Sequence, residues 1–178
     1  MPETVGVSNT TLAQATVFVI RRVGLTTWRL RERGKIAPVS VWSNDWDSVD
    51  PEGRSRRLLR GTALGATLYE LARGGGIAYH FHHGSEELLI VLHGRLTLRT
   101  PNGSRELGSG AVVHFPAGPE GAHAITKNDE EPVRYLMVST LVSPDATEYP
   151  DTRQLSVYAR TKNQFGEELF DIRTLDEP

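Results

Sequence analysis

Between residues 61 and 141 the chain alternates short apolar or alternating runs with glycine, proline and asparagine punctuation, and no helix of useful length fits between them. The runs fall at 64–71, 77–82, 87–93, 95–100, 111–115, 123–127 and 133–141. Turn signals separate them at 74–76, 101–103, 108–110, 116–121 and 128–132. Seven closely spaced strands exclude a parallel sheet, which needs long crossover segments, and leave an antiparallel sandwich or barrel. The central part of the chain therefore reads as all-β.

The flanks are less regular. Residues 16–22 (TVFVIRR) and 154–160 have strand character, 43–51 reads as a loop, and the tail 163–178 carries enough apolar residues to pack against the body. This divides the chain into a basic N-terminal extension over 1–60, a barrel core over 61–142 and a C-terminal extension over 143–178 that completes or flanks the barrel. One domain with decorated ends suits 178 residues and a hydrophobic content of 38%. Neither an 18-residue apolar run nor a secretory leader is present, so the expected location is the cytoplasm. With no cysteine, disulfides, thiolate zinc sites and cysteine nucleophiles are excluded, and any metal must be held by nitrogen and oxygen.

The net charge of −2 hides a split: residues 1–60 hold ten basic side chains against six acids, the remainder ten against sixteen. A basic segment docked on an acidic body, within one chain or across a homodimer, accounts for it. Residues 23–38 resemble a DNA recognition helix followed by a wing. That motif needs a scaffold helix before it, and the β-branched run at 16–22 is the wrong material, so no nucleic-acid partner is expected.

Chemistry is concentrated in the stretch YHFHHGSEE at 79–87. Residues two apart on a strand share a face, which aligns His80 with His82. If 83–86 is a hairpin turn, His82 stands opposite Glu87, and Glu86 lies in the turn. Two imidazoles and a carboxylate suit a divalent first-row ion such as Fe, Mn, Ni, Cu or Zn, and His123, after the rigid PAGPEGA turn, is the strongest candidate for a fourth ligand. His83 alternates away from His82, and His93 and His114 lie among apolar strand residues. Tyr69, Tyr79, Phe81, Phe115, Tyr135 and Met137 are candidates for either a pocket lining or ordinary core.

These residues resemble the cupin superfamily, whose first motif is G(x)5HxH(x)3-4E(x)6G. Gly74, His80, His82, Glu87 and Gly94 stand at its spacings. The second motif, G(x)5PxG(x)2H(x)3N, is matched by Gly110, Pro116 and Gly118, but four residues precede His123 and four separate it from Asn128. The wording HFHHGSEELLIVLHG is similar to that of single-barrel conserved-barrel cupins. The resemblance covers about residues 64–141 and implies a jelly-roll β-barrel with a metal held by His80, His82, Glu87 and His123.

Two functions follow as expectations. One is a metal-dependent enzyme acting on a small organic molecule by dioxygenation, isomerisation or decarboxylation. The other is a ligand-binding or sensor barrel without turnover, since one fold hosts many activities. Catalysis is slightly favoured, with no catalytic acid or base identified beyond the ligands. Edge strands at 16–22 and 154–160 are expected to be covered by a second subunit, giving a homodimer.

Overall fold

Within residues 87–93 Leu89 and Val91 are buried while their neighbours are partly exposed, the alternation of a strand with one face on the core. The same logic runs through the computed structural model, which describes residues 38–176. Thirteen strands form among them: β1 (Ser48–Asp50), β2 (Gly53–Arg60), β3 (Leu64–Leu71), β4 (Gly76–His82), β5 (Glu87–His93), β6 (Arg95–Thr100), β7 (Gly103–Gly108), β8 (Val112–Phe115), β9 (His123–Thr126), β10 (Val133–Thr140), β11 (Asp145–Tyr149), β12 (Gln154–Lys162) and β13 (Glu168–Thr174). A 3-10 turn, Pro119–Gly121, precedes β9. All pairings are antiparallel and make two sheets, ordered β1-β2-β3-β10-β5-β8 and β13-β12-β11-β4-β9-β6-β7.

Leu89, Val91, Leu96, Leu98, Ile125, Val133, Tyr135 and Met137 meet in one apolar cluster between the sheets. Leu89 and Leu98 are fully enclosed, and burial of side chains of this size stabilises by about 1.5–3 kcal/mol each. The aliphatic cluster leaves the inward positions toward the other end of β4, β5 and β9 to His80, His82, Glu87 and His123.

Several expectations require correction. Strands β4 and β5 do not form a hairpin: β4 pairs with β9 and β11, whereas β5 pairs with β10 and β8. Residues 83–86 carry the chain from one sheet to the other, because the loop is tied to both. His83 N–H donates to the Ala146 carbonyl, Gly84 N–H to Asp145 Oδ1, and Glu86 N–H to Thr140 Oγ1. The segment 43–51 is not wholly loop, since β1 lies within it.

Strand β2, with four arginines among its eight residues, also belongs to the first sheet. Its charges are accommodated by pairing: Arg54 and Arg134 both grip Glu70, Arg56 meets Asp45, and Trp46 lies under Arg54 and Arg134 at 4.9 and 5.1 Å. The edge at 154–160 is not free, because β13 covers it. The tail is ordered through that backbone pairing, yet its side chains do not pack inward, and every residue of β13 is exposed. The strand expected at 16–22 and most of the basic stretch 23–38 lie outside the described residues.

Candidate metal centre

The site is assembled from three strands and one turn. His80 on β4 stands directly opposite His123 on β9, with ring centroids 4.6 Å apart. Glu87 reaches them from the facing sheet, where its strand neighbours are Ser139 and Phe115. Glu87 Oε2 lies 3.8 Å from His80 Nε2, 3.7 Å from His82 Nε2 and 3.4 Å from His123 Nε2. Its other oxygen, Oε1, accepts a hydrogen bond from Ser139 Oγ at 3.0 Å.

Each imidazole is held by its other nitrogen. His80 Nδ1 donates to the Ala78 carbonyl at 2.8 Å, and His123 Nδ1 to the Gly121 carbonyl at 2.9 Å. Carbonyls only accept, so both Nδ1 atoms carry the proton and both Nε2 lone pairs face Glu87 when the rings are neutral. His82 Nδ1 donates to Asp145 Oδ2 at 2.9 Å, with Thr147 Oγ1 at 3.1 Å.

Burial, reinforced by the neighbouring His123, holds the His80 pKa down to about 4. Burial likewise lowers that of His123. For His82 burial also disfavours the charged ring, but the hydrogen bond to Asp145 and the charges of Glu87 and Asp145 outweigh it, and the pKa is raised. Burial would raise the Asp145 carboxyl, yet its hydrogen bonds to His82 and Ser85 bring it down to about 2.

The irregular spacing before His123 has a local cause. The two extra residues are taken up by the 3-10 turn, where Gly121 N–H donates to the Gly118 carbonyl and Ala122 N–H to that of Pro119. Gly118 adopts φ +91°, a left-handed conformation that favours glycine, and its N–H donates to the His82 carbonyl. A Cβ at Gly121 would lie 1.8 Å from the Pro116 carbonyl oxygen, so this close turn requires glycine. Phe115 then stacks on the His123 ring, centroids 3.7 Å apart and planes 9° apart.

Ligand atoms of His80, Glu87 and His123 lie within 4.8 Å of one another, close enough to share a metal ion. His82 faces the same carboxylate oxygen but is not part of that mutual set. Glu86 points outward and meets His114 at 2.9 Å, His83 approaches Glu148, and His93 is exposed beside Glu131. Tyr69, Phe115, Tyr135 and Met137 face the interior, but Tyr79 lies on the opposite face of β4 beneath Arg99. Sequence reasoning missed Asp145, Thr147 and Tyr149 of β11, the last with its ring 5.8 Å from that of His80, although their i, i+2, i+4 spacing marks one strand face.

Residues 67–139 match the family model described as the cupin domain. That stretch is a cupin domain. No curated protein sequence matches this cupin. Among solved structures, a protein from Acidithiobacillus ferrooxidans assigned as a sugar phosphate isomerase is 27% identical, with TM-score 0.56 over 70% of this chain and 81% of that one. A cupin sugar phosphate isomerase from Silicibacter pomeroyi is 23% identical, with TM-score 0.59 over 69% and 76%. The polyketide cyclase RemF from Streptomyces resistomycificus is 22% identical, with TM-score 0.52 over 60% and 80%. Among the described residues, no helix of this cupin is long and apolar enough to cross a membrane.

Proposed function

We propose that His80, His82, Glu87 and His123 hold one divalent first-row transition metal, and that the cupin uses it to transform a small organic molecule. The observation that carries this reading is His123 Nε2, a buried nitrogen turned toward Glu87 with no hydrogen-bond partner among the described residues. A buried acceptor without a partner is costly, and an ion shared with Glu87 would relieve it. The separations of 3.4–3.8 Å from Glu87 Oε2 are longer than hydrogen bonds. They are near the roughly 3–3.5 Å spacing of donors that each lie about 2.1 Å from a common ion. Anchoring of each Nδ1 by a carbonyl or carboxylate is the arrangement that orients metal-binding imidazoles.

When bound, such a metal supplies a Lewis acid that polarises a coordinated oxygen. The chain's own contribution is positional. Asp145 fixes the tautomer of His82, Ser139 holds Glu87 Oε1, and Phe115 locks the His123 ring. Of the chemistries open to such a centre, isomerisation of a hydroxy-carbonyl compound is favoured by the likeness to the protein from Acidithiobacillus ferrooxidans. Elemental analysis of protein purified without chelator, beside the His80→Ala/His123→Ala double variant, tests the centre. Near-stoichiometric metal lost in the variant is expected; turnover retained by metal-free protein would sink the proposal.

We also infer a homodimer. Its support is the outer edge of β13 over residues 169–174, which pairs with no strand among the described residues; Leu169, Phe170 and Ile172 are exposed there and a second copy can add its own strand. Light scattering that gives a monomer mass at all concentrations would rule it out.

A further inference from the structure

Strand β11 pairs with β4 through Thr147–His82 and Glu148–Phe81. The next residue, Tyr149, lies beside His80, with ring centroids 5.8 Å apart and planes at 28°. On its other side β11 pairs with β12, which sets Tyr149 opposite Gln154 and Thr147 opposite Ser156. Side chains directly opposite each other share a sheet face, so Gln154 and Ser156 extend the face that carries His80 and His82. With strands about 4.8 Å apart, Gln154 stands roughly 10 Å across the sheet from His80. Tyr149 and Gln154 are both partly exposed, and the His82 side chain keeps 23% of its surface exposed, so solvent reaches the centre beside β11.

These rungs have spare hydrogen-bonding capacity. The phenol of Tyr149 can donate and accept, and the buried Ser156 hydroxyl takes up one of those bonds. The Gln154 carbonyl accepts from Thr152 Oγ1 at 3.1 Å, while its amide nitrogen donates to nothing among the described residues. The rungs are also neutral: Gln154 and Ser156 are followed on β13 by Thr174 and Ile172, and the one charge on this face of β11 is Asp145, already bonded to His82. A carboxylate or phosphate brought here would give up hydration with no cation to receive it. A hydroxyl can accept from the amide and bond the phenol. We propose that Tyr149 and Gln154 are specificity-determining residues that hold the uncharged, hydroxyl-bearing part of the molecule whose other end lies on the centre. This assignment rests on the reading of His80, His82, Glu87 and His123 as the place where that molecule is gripped.

The test uses the full chain loaded with cobalt(II), whose visible absorption reports ligand binding. Three hydroxamates grip the ion alike and differ in their tails: butanohydroxamate is apolar, erythronohydroxamate carries hydroxyls, and succinate monohydroxamate carries a carboxylate. Erythronohydroxamate is expected to bind at least about tenfold more tightly than either of the others. Tyr149→Phe and Gln154→Leu should each weaken it about fivefold, with cobalt content and butanohydroxamate affinity unchanged. Equal binding of the three probes, tighter binding of the anionic one, or unchanged erythronohydroxamate affinity in either variant overturns the assignment. Loss of cobalt from Tyr149→Phe also overturns it, since the tyrosine would then only support His80. Failure of the metal reading is distinct and shows as no cobalt bound by the wild type. The rungs are then read by calorimetry with erythritol on the stripped chain: binding abolished in the Tyr149→Phe/Gln154→Leu double variant supports them, and no binding by the wild type overturns them.

Discussion

Acidifying the metal-free protein should remove a defined part of its stability. His80 has an ordinary pKa of 6.5 but is held to about 4 in the folded chain, chiefly by burial. Between those values the unfolded chain takes up a proton at this residue and the folded chain does not, so stability falls as pH falls from 6.5 toward about 4. At 1.36 kcal/mol per pH unit of difference, lowering the pH from 7 to 4.5 should cost on the order of 2–3 kcal/mol at this site.

His123, also lowered, acts in the same direction. The raised pKa of His82 acts oppositely: its contribution is fully present below pH 6.5 and is lost as pH rises through the folded value. Asp145, lowered from 3.8 to about 2, is flat through this window and gives up its contribution only below pH 3.8. A domain stable by about 5–15 kcal/mol would register the net loss clearly. Urea unfolding at pH 7 and 4.5, followed by tryptophan fluorescence, gives the loss, and His80→Gln should remove most of the His80 share. Parallel behaviour of wild type and His80→Gln over this range would refute the reasoning.

Further outcomes are expected at other positions. His82→Ala should lower metal content and any turnover together, checked by elemental analysis and assay of the same sample. Asp145→Asn should weaken metal binding by about 10–100-fold while leaving the ligands in place, because an outer partner orients rather than coordinates; competition with a chromogenic chelator measures it. Gly121→Ala should displace the turn that presents His123 and reduce metal retention, whereas Gly108→Ala, whose added Cβ meets nothing within 4 Å, should not. Leu89→Ala removes a fully enclosed side chain and should cost about 3 kcal/mol in chemical denaturation.

The strands were legible where a core face alternates with a partly exposed one: 64–71, 87–93 and 95–100 appear in the structure with those same ends. They were illegible where no side of the strand is apolar. Strand β7 (GSRELG) is almost wholly exposed, and β2 hides behind arginines, of which Arg54 and Arg56 are held by Glu70, Asp45 and Trp46 from outside the strand. In the tail Phe165, Leu169, Phe170, Ile172 and Leu175 suggested packing, but the first four are exposed, Leu169, Phe170 and Ile172 on β13 itself, and exposure at a sheet edge is something no local pattern encodes.

At the site, parity aligned His80 with His82, because alternation along a strand does not depend on which strand is the partner; Glu87 was added through a hairpin register that does not form, yet it reaches both histidines from the facing sheet, and Glu86 points outward. The partner itself was misread. A four-residue connection can close a hairpin or cross between sheets, and the crossing is decided by Asp145 and Thr140, residues more than fifty positions away that bind the loop's N–H groups.

That crossing gives the sandwich a built-in caliper. Histidines on one layer and Glu87 on the other mean that sliding the sheets against each other changes all three Glu87 separations together, while movement within one sheet changes few of them. The loop at 83–86, fastened to both layers, limits that sliding where the caliper is read. An ion bridging the jaws would act as a rivet between layers, so amides of β4 and β5 should exchange with solvent more slowly in loaded protein than in stripped protein, and those of β13, far along the sheet, should not notice.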